Sequence, residues 1–149
     1  MGTRHEARER AIQVLFQWDI HKRPGLWLEM FWEENPLDKG MRMFADDLVR
    51  GVRANQAELD QLIESVAAHW KVSRMPIVDR NILRAALCEL FYMPDVPAKV
   101  TLNEALELAR DFADEDTKNF VNGVLDKILR TDSRLQAKRA EFENVERGN

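Results

Sequence analysis

Three histidines, one cysteine and a run of carboxylates are the residues of this 149-residue chain with the widest chemical reach. A structural zinc site uses four His, Cys or carboxylate ligands, many of them in closely spaced pairs. His5, His21 and His69 are widely separated and share no such spacing with each other or with Cys88, so no metal site is expected. Asp111, Asp114, Glu115 and Asp116 crowd together, but they lack the alternating ligands and central glycine of a calcium loop. Helix capping is their expected use, with Asp116 as the cap. No glycine cluster could cradle phosphates and no serine sits in a nucleophile-elbow motif. Cys88, with Leu87 and Leu90 beside it, reads as a buried and inert thiol. The expectation is a protein that is not an enzyme and takes no cofactor.

Binding chemistry is better represented. Arg4, Arg8 and Arg10 fall within the first ten residues, and Arg10, Gln13 and Gln17 share one polar strip of the helix that follows. Guanidinium groups contact phosphates and aromatic faces stack on unpaired bases, so an arginine-rich entry into a helix bearing glutamine and an aromatic suits RNA. Glu6 and Glu9 dilute the arginines, and an ordinary solvated helix face gives the same pattern. The net charge of −4 and a pI near 5.5 exclude coating of nucleic acid through global positive charge. Any RNA contact must be local.

Helices must position these groups. Hydrophobic residues make up 45% and charged residues 32% of the chain, a balance that suits a soluble globular protein. Glycines and prolines fall mostly between periodic segments, which reads as an all-α fold. The longest apolar run is about five residues, over 90–94, far short of a membrane span. With no apolar leader core at the start, a cytoplasmic location is expected. Thr3 and Glu6 form a capping-box pattern that opens a helix over 4–20, stopped by Lys22-Arg23-Pro24-Gly25. Further helices are expected over 26–33, around Phe44, Leu48 and Val52, from an Asn55/Glu58 box onward (the last two separate or one bent helix), over 76–93, from a Thr101/Glu104 box to about 113, and from Asp116 to about 129. That makes about seven helices in residues 1–130, followed by a polar tail, 131–149, that is either helical or disordered.

The faces carry more information than the boundaries. The first helix has one apolar stripe of Ala7, Ala11, Val14, Leu15 and Trp18, and a second of Ile12, Phe16 and Ile20 nearly opposite. It is therefore central, or it meets a partner, with a short helix of the same chain as one possible cover. The 76–93 helix is apolar on almost every side, so Arg80 and Arg84 need carboxylate partners, with Glu104 and Glu107 as the candidates. Gly123 weakens its helix by about 1 kcal/mol relative to alanine, which suggests close helix packing there.

The second half of the chain resembles the NusB family. The residues that carry the likeness are Asp79-Arg80-Asn81-Ile82-Leu83-Arg84, Asp95-Val96-Pro97, Asn103-Glu104-Ala105 and, most specifically, Phe120-Val121-Asn122-Gly123-Val124-Leu125-Asp126-Lys127. Arg8, Ala11, Gln13, Leu15-Phe16 and Leu48-Val49-Arg50-Gly51-Val52 extend it, so that it spans roughly residues 4 to 130. The resemblance implies two packed helical bundles joined into one domain. It also implies binding of single-stranded boxA RNA in nascent ribosomal transcripts, together with the ribosomal protein NusE, within an RNA polymerase antitermination complex. By the same resemblance Arg4, Arg8 and Arg10 contact RNA phosphates and Asp116, Lys118, Asn119 and Phe120 form part of that surface, to which the strip reading adds Gln13. Phe16 and Asp79 are expected on the NusE side. A homodimer that hides the RNA surface, and a domain serving ribosomal RNA methylation, are the alternatives that the resemblance leaves open.

Overall fold

The computed structural model describes residues 3–67 and 69–146, and among them every regular element is a helix. Eight α-helices follow one another: α1 (Arg4–His21), α2 (Leu26–Glu34), α3 (Lys39–Ala54), α4 (Gln56–Val66), α5 (Ile77–Tyr92), α6 (Ala98–Phe112), α7 (Glu115–Thr131) and α8 (Gln136–Glu146), with short 3-10 turns at Val72–Arg74 and Ser133–Leu135. Helices α1 and α3 form one group, with α2 laid against them through Trp27 on Trp18 and Trp32 under Arg42, and α4 to α7 form a second, with α5 packed against members of both. That is the expected all-α, two-bundle arrangement, with the seven expected helices and an eighth, α8, in the tail.

The caps explain where the helices begin and end. Thr3 accepts a hydrogen bond from the Glu6 amide at 3.1 Å, as its capping pattern predicts. Helix α1 stops at Lys22, whose left-handed backbone (φ 63°) lets its amide donate to the Trp18 carbonyl. Two of the expected starts are displaced, and at a third, Asn55, α4 begins where expected but without the side-chain cap. Asp114, not Asp116, caps α7, accepting from the Thr117 amide at 2.8 Å. Thr101 lies inside α6, which opens at Pro97, and its hydroxyl donates to Glu89 instead. Asn55 closes α3 by donating its side-chain amide to the Gly51 carbonyl, while Glu58 accepts from the Tyr92 hydroxyl. Thr101 and Glu58 are drawn away by tertiary partners that sequence spacing does not reveal, whereas Asp116 and Asn55 lose the cap to local alternatives.

Helix α5 is the hub, buried almost continuously from Asn81 to Leu90. Each fully buried leucine on it contributes roughly 1.5–3 kcal/mol of transfer free energy. The close helix approach occurs at Gly51 on α3, where an added Cβ would lie 2.6 Å from the Cys88 sulfur. Gly123, expected at such a contact, has nothing within 4 Å of its Cβ position and faces outward. Burial pushes the Cys88 thiol up to about 12, with the neighbouring Glu89 charge adding to the effect.

The polar tail folds back onto this hub. Leu135 is buried, and Lys138 runs its ammonium to the Met93 carbonyl at 2.8 Å and to those of Val96 and Glu89 at the end of α5. Arg139 does the same for α7, donating to the carbonyls of Leu129 and Asp132. Cations at helix C-termini satisfy orphan carbonyls and oppose the negative end of the helix dipole. Desolvation lowers the Lys138 pKa from its ordinary value.

Candidate nucleic-acid interface

The three arginines of α1 meet three different environments. Arg4 is exposed and lies over the Phe44 ring, 4.6 Å from its centroid. Arg8 is only 3% exposed: its Nε and Nη2 donate to the two Glu89 oxygens at 2.9 and 2.8 Å, and Thr101 donates to the same carboxylate at 3.0 Å. A guanidinium held in this way is turned toward the core, unlike the solvent-facing phosphate contact expected of Arg8. One charged residue among Ala7, Ala11 and Ile12 on an inward face needs a counter-charge, and α5 supplies it. Arg10 is partly buried beside Gln13, 3.4 Å from Nη1 to the amide oxygen, and its Nε is shielded from solvent without an acceptor. That unmet donor is consistent with a group that takes its acceptor from a bound partner.

Helix α1 runs alongside α6. His5 hydrogen-bonds Glu104 at 2.5 Å near one end, and Phe16 packs edge-on against Phe112 at 5.6 Å, about 16 Å further along the α1 axis. The second stripe of α1 is therefore covered from within: Ile12 is buried where α5 and α6 meet, Phe16 is half-covered, and Ile20 is exposed. Helices α5 and α6, not a short helix, cover Ile12, and Phe112 of α6 covers Phe16. Folding also brings a His5 ring nitrogen and carboxylate oxygens of Glu107 and Asp111 within 4.8 Å of one another. The Glu104 hydrogen bond raises the His5 pKa, against a smaller opposing effect of burial, and so favours the imidazolium over a metal-ligating neutral ring.

At the other end of α6 the chain turns within two residues into α7. Asp116 and Asn119 are exposed there, Lys118 is half-buried and 3.7 Å from Glu115, and Phe120 is half-buried against the core. One groove lies between Trp70, Pro76, Asp79, Asp116, Thr117 and Phe120. It brings together Asp79, expected at a protein partner, and Asp116 and Phe120, expected at RNA. Asp79 is buried in its wall, held by a backbone hydrogen bond at its own position and a long contact from the Thr117 hydroxyl at 3.5 Å. Desolvation raises its pKa above the ordinary carboxylate value, with the Asp114 charge adding and the backbone and Thr117 hydrogen bonds opposing. Trp70, on the opposite lip, has no place among the residues expected from sequence. A tryptophan between His69 and Lys71 in a polar connection was the available signal.

Arg80 and Arg84 are structural, as their burial requires, but their partners are not Glu104 and Glu107. Arg80 donates to Asp19 at 3.0 Å, and Arg84 grips Asp60 with two bonds of 2.7 and 2.9 Å while also reaching Asp19. Asp19 thus ties the end of α1 to the start of α5.

A model of the NusB family matches residues 5–130. The transcription antitermination protein NusB of Desulforapulum autotrophicum is 46% identical over 131 residues, which cover 86% of this chain and 92% of that protein. Among solved structures, NusB of T. maritima superposes with a TM-score of 0.80 at 33% identity, covering 95% of this chain and 98% of that one. A crystal structure of the antitermination factors NusB and NusE in complex with dsRNA superposes at 0.77, with 31% identity over 85% of this chain and 96% of the other.

Proposed function

This chain belongs to the NusB family, and on that premise we propose that it is a non-enzymatic RNA-binding adaptor of transcription antitermination. In this reading it binds the single-stranded boxA element of nascent ribosomal RNA together with NusE and helps RNA polymerase resist termination. The observation that carries the proposal is the groove at the start of α7, where Asp79 shares walls with Asp116 and Phe120, in a fold that a NusB–NusE–RNA assembly also adopts. Arg4, Arg10 and Gln13 contact phosphate from the start of α1. Lys118, Asn119 and Phe120 contact RNA from the start of α7, where Asp116 accepts from base amino groups. Phe16 and Asp79 face NusE. With a net charge of −4, the chain holds RNA weakly by itself, and NusE supplies a large share of the surface.

Titrating a labelled boxA-like RNA and a scrambled control, with and without NusE, tests this reading. The expected result is sequence preference together with affinity that rises when NusE is present. Equal binding of both RNAs, or affinity indifferent to NusE, overturns it. Charge reversal by Arg4→Glu with Arg10→Glu should weaken binding and flatten its salt dependence, the slope falling by about 0.7 for each phosphate that is no longer neutralised.

A further inference from the structure

We propose that residues 69–74, between α4 and α5, form an additional contact for single-stranded RNA, in which Trp70 stacks on an unpaired base while Lys71 and Arg74 meet the flanking phosphates. This rests on the RNA-binding reading above and extends its surface across the lip of the Asp79 groove. Trp70 is 54% exposed, an unusual position for the largest apolar side chain unless something covers it. It stands between two hollows of opposite character: on one side the groove with Asp79 and Asp116, on the other a polar hollow with His69, Lys71 and Arg74.

The segment is held in place before anything binds. Val72 and Met75 are buried beneath it. The Val72 amide donates to Glu64 at 2.8 Å, and Arg80, itself held by Asp19, donates to the Ser73 and Met75 carbonyls. Glu64, the carboxylate in the polar hollow, is thus engaged by backbone, and neither Lys71 nor Arg74 forms an ion pair with a described carboxylate. A preorganised aromatic flanked by available cations is the arrangement that single-strand binding uses, since every base has a face to stack and little ordering entropy is lost. The opposite signs of the two hollows set the direction. Phosphates are repelled by Asp79 and Asp116 and attracted by Lys71 and Arg74, so the RNA backbone follows the cationic side and only a base reaches over Trp70.

Anisotropy titrations of a boxA-like RNA carrying a few flanking nucleotides, over a series of salt concentrations and with and without NusE, test the proposal. Trp70→Ala should weaken binding about tenfold, and Trp70→Phe should restore most of it, because stacking tolerates any aromatic face. Lys71→Gln with Arg74→Gln should reduce the salt slope by about 1.4, the value for two single-strand phosphate contacts. These side chains are exposed, and circular dichroism and melting of each variant confirm that the fold persists. If Trp70→Ala binds like the parent while Phe120→Ala and Arg10→Glu weaken binding, the loop contact is wrong and the RNA-binding reading stands. If the unaltered chain binds no RNA under any of these conditions, both fall. If Trp70→Ala loses NusE in RNA-free titrations but keeps its RNA affinity, the loop belongs to the protein partner and the proposal is overturned.

Discussion

Arg8 and Arg10 stand two residues apart on α1 in opposite surroundings, and the contrast extends to the two regions they represent. Around Arg8 lies an interior seam, where α1 and α3 press on α5 and every cation has a carboxylate: Arg8 with Glu89, Arg84 with Asp60 and Asp19, Arg80 with Asp19. Around Arg10, and again at Lys71 and Arg74, lies an outer rim whose cations lack a carboxylate among the described residues. In the seam a charge holds the fold together, and its loss strands a partner in low dielectric. On the rim Lys71 and Arg74 are exposed to solvent and Arg10 keeps an unmet donor, so all three remain available to a ligand. Arginine content alone therefore says nothing about RNA binding, since what matters is which side of α1 the guanidinium leaves from.

Breaking the seam should give the largest effect. Glu89→Ala leaves Arg8 buried without a counter-ion, and chemical denaturation should show a loss of about 3–5 kcal/mol. A loss under about 1 kcal/mol would mean that Arg8 swings out to the rim. Next comes the seam's tightest approach. Gly51→Ala should destabilise by roughly 1–3 kcal/mol because its Cβ meets the Cys88 sulfur, and Cys88→Ala in the same chain should recover much of that. The rim glycine should behave in the opposite way, with Gly123→Ala raising stability by up to about 1 kcal/mol through helix propensity alone. Smaller still, Arg10→Gln should leave the melting midpoint nearly unchanged, within about 0.5 kcal/mol, while RNA affinity falls. Finally, the half-exposed His5–Glu104 pair should contribute a pH-dependent increment. Because His5 has its folded pKa raised, the contribution is complete below its ordinary value of about 6.5 and disappears as pH rises through the folded value. The stability gap between parent and His5→Ala should therefore be wider near about pH 5.5 than near about pH 8, and a gap that widens with pH would refute the pairing.

Much of the architecture was legible in the sequence. Helix periodicity and punctuation by Pro24, Pro76, Pro94 and Pro97 placed the seven core helices to within a few residues, because a 3.6-residue apolar repeat and a missing backbone donor are local properties. Capping was read less well, since Thr101, Asn55 and Asp116 all fit a local pattern that a competing partner or register defeats. The groove at the start of α7 joins Phe120, Asp116 and Asp79, which family likeness had named, with a loop residue, Trp70, which it had not. Trp70 carries no periodicity, and nothing near it in sequence shows that it borders the groove of Asp79 and Phe120.

By itself, then, the sequence determined an all-helical chain with α5 at its centre, a buried thiol at Cys88, and cations that had to be paired wherever an apolar helix carried them inward. Only the tertiary structure decided which carboxylate pairs with which arginine, that Arg8 faces in and Arg10 out, that Gly51 and not Gly123 is the close contact, and that the polar tail caps α5 and α7 through Lys138 and Arg139. The physical reason is range. Propensity and amphipathicity act over one or two turns and are written in consecutive residues, whereas ion pairing and packing join positions such as 8 and 89 that no local pattern relates.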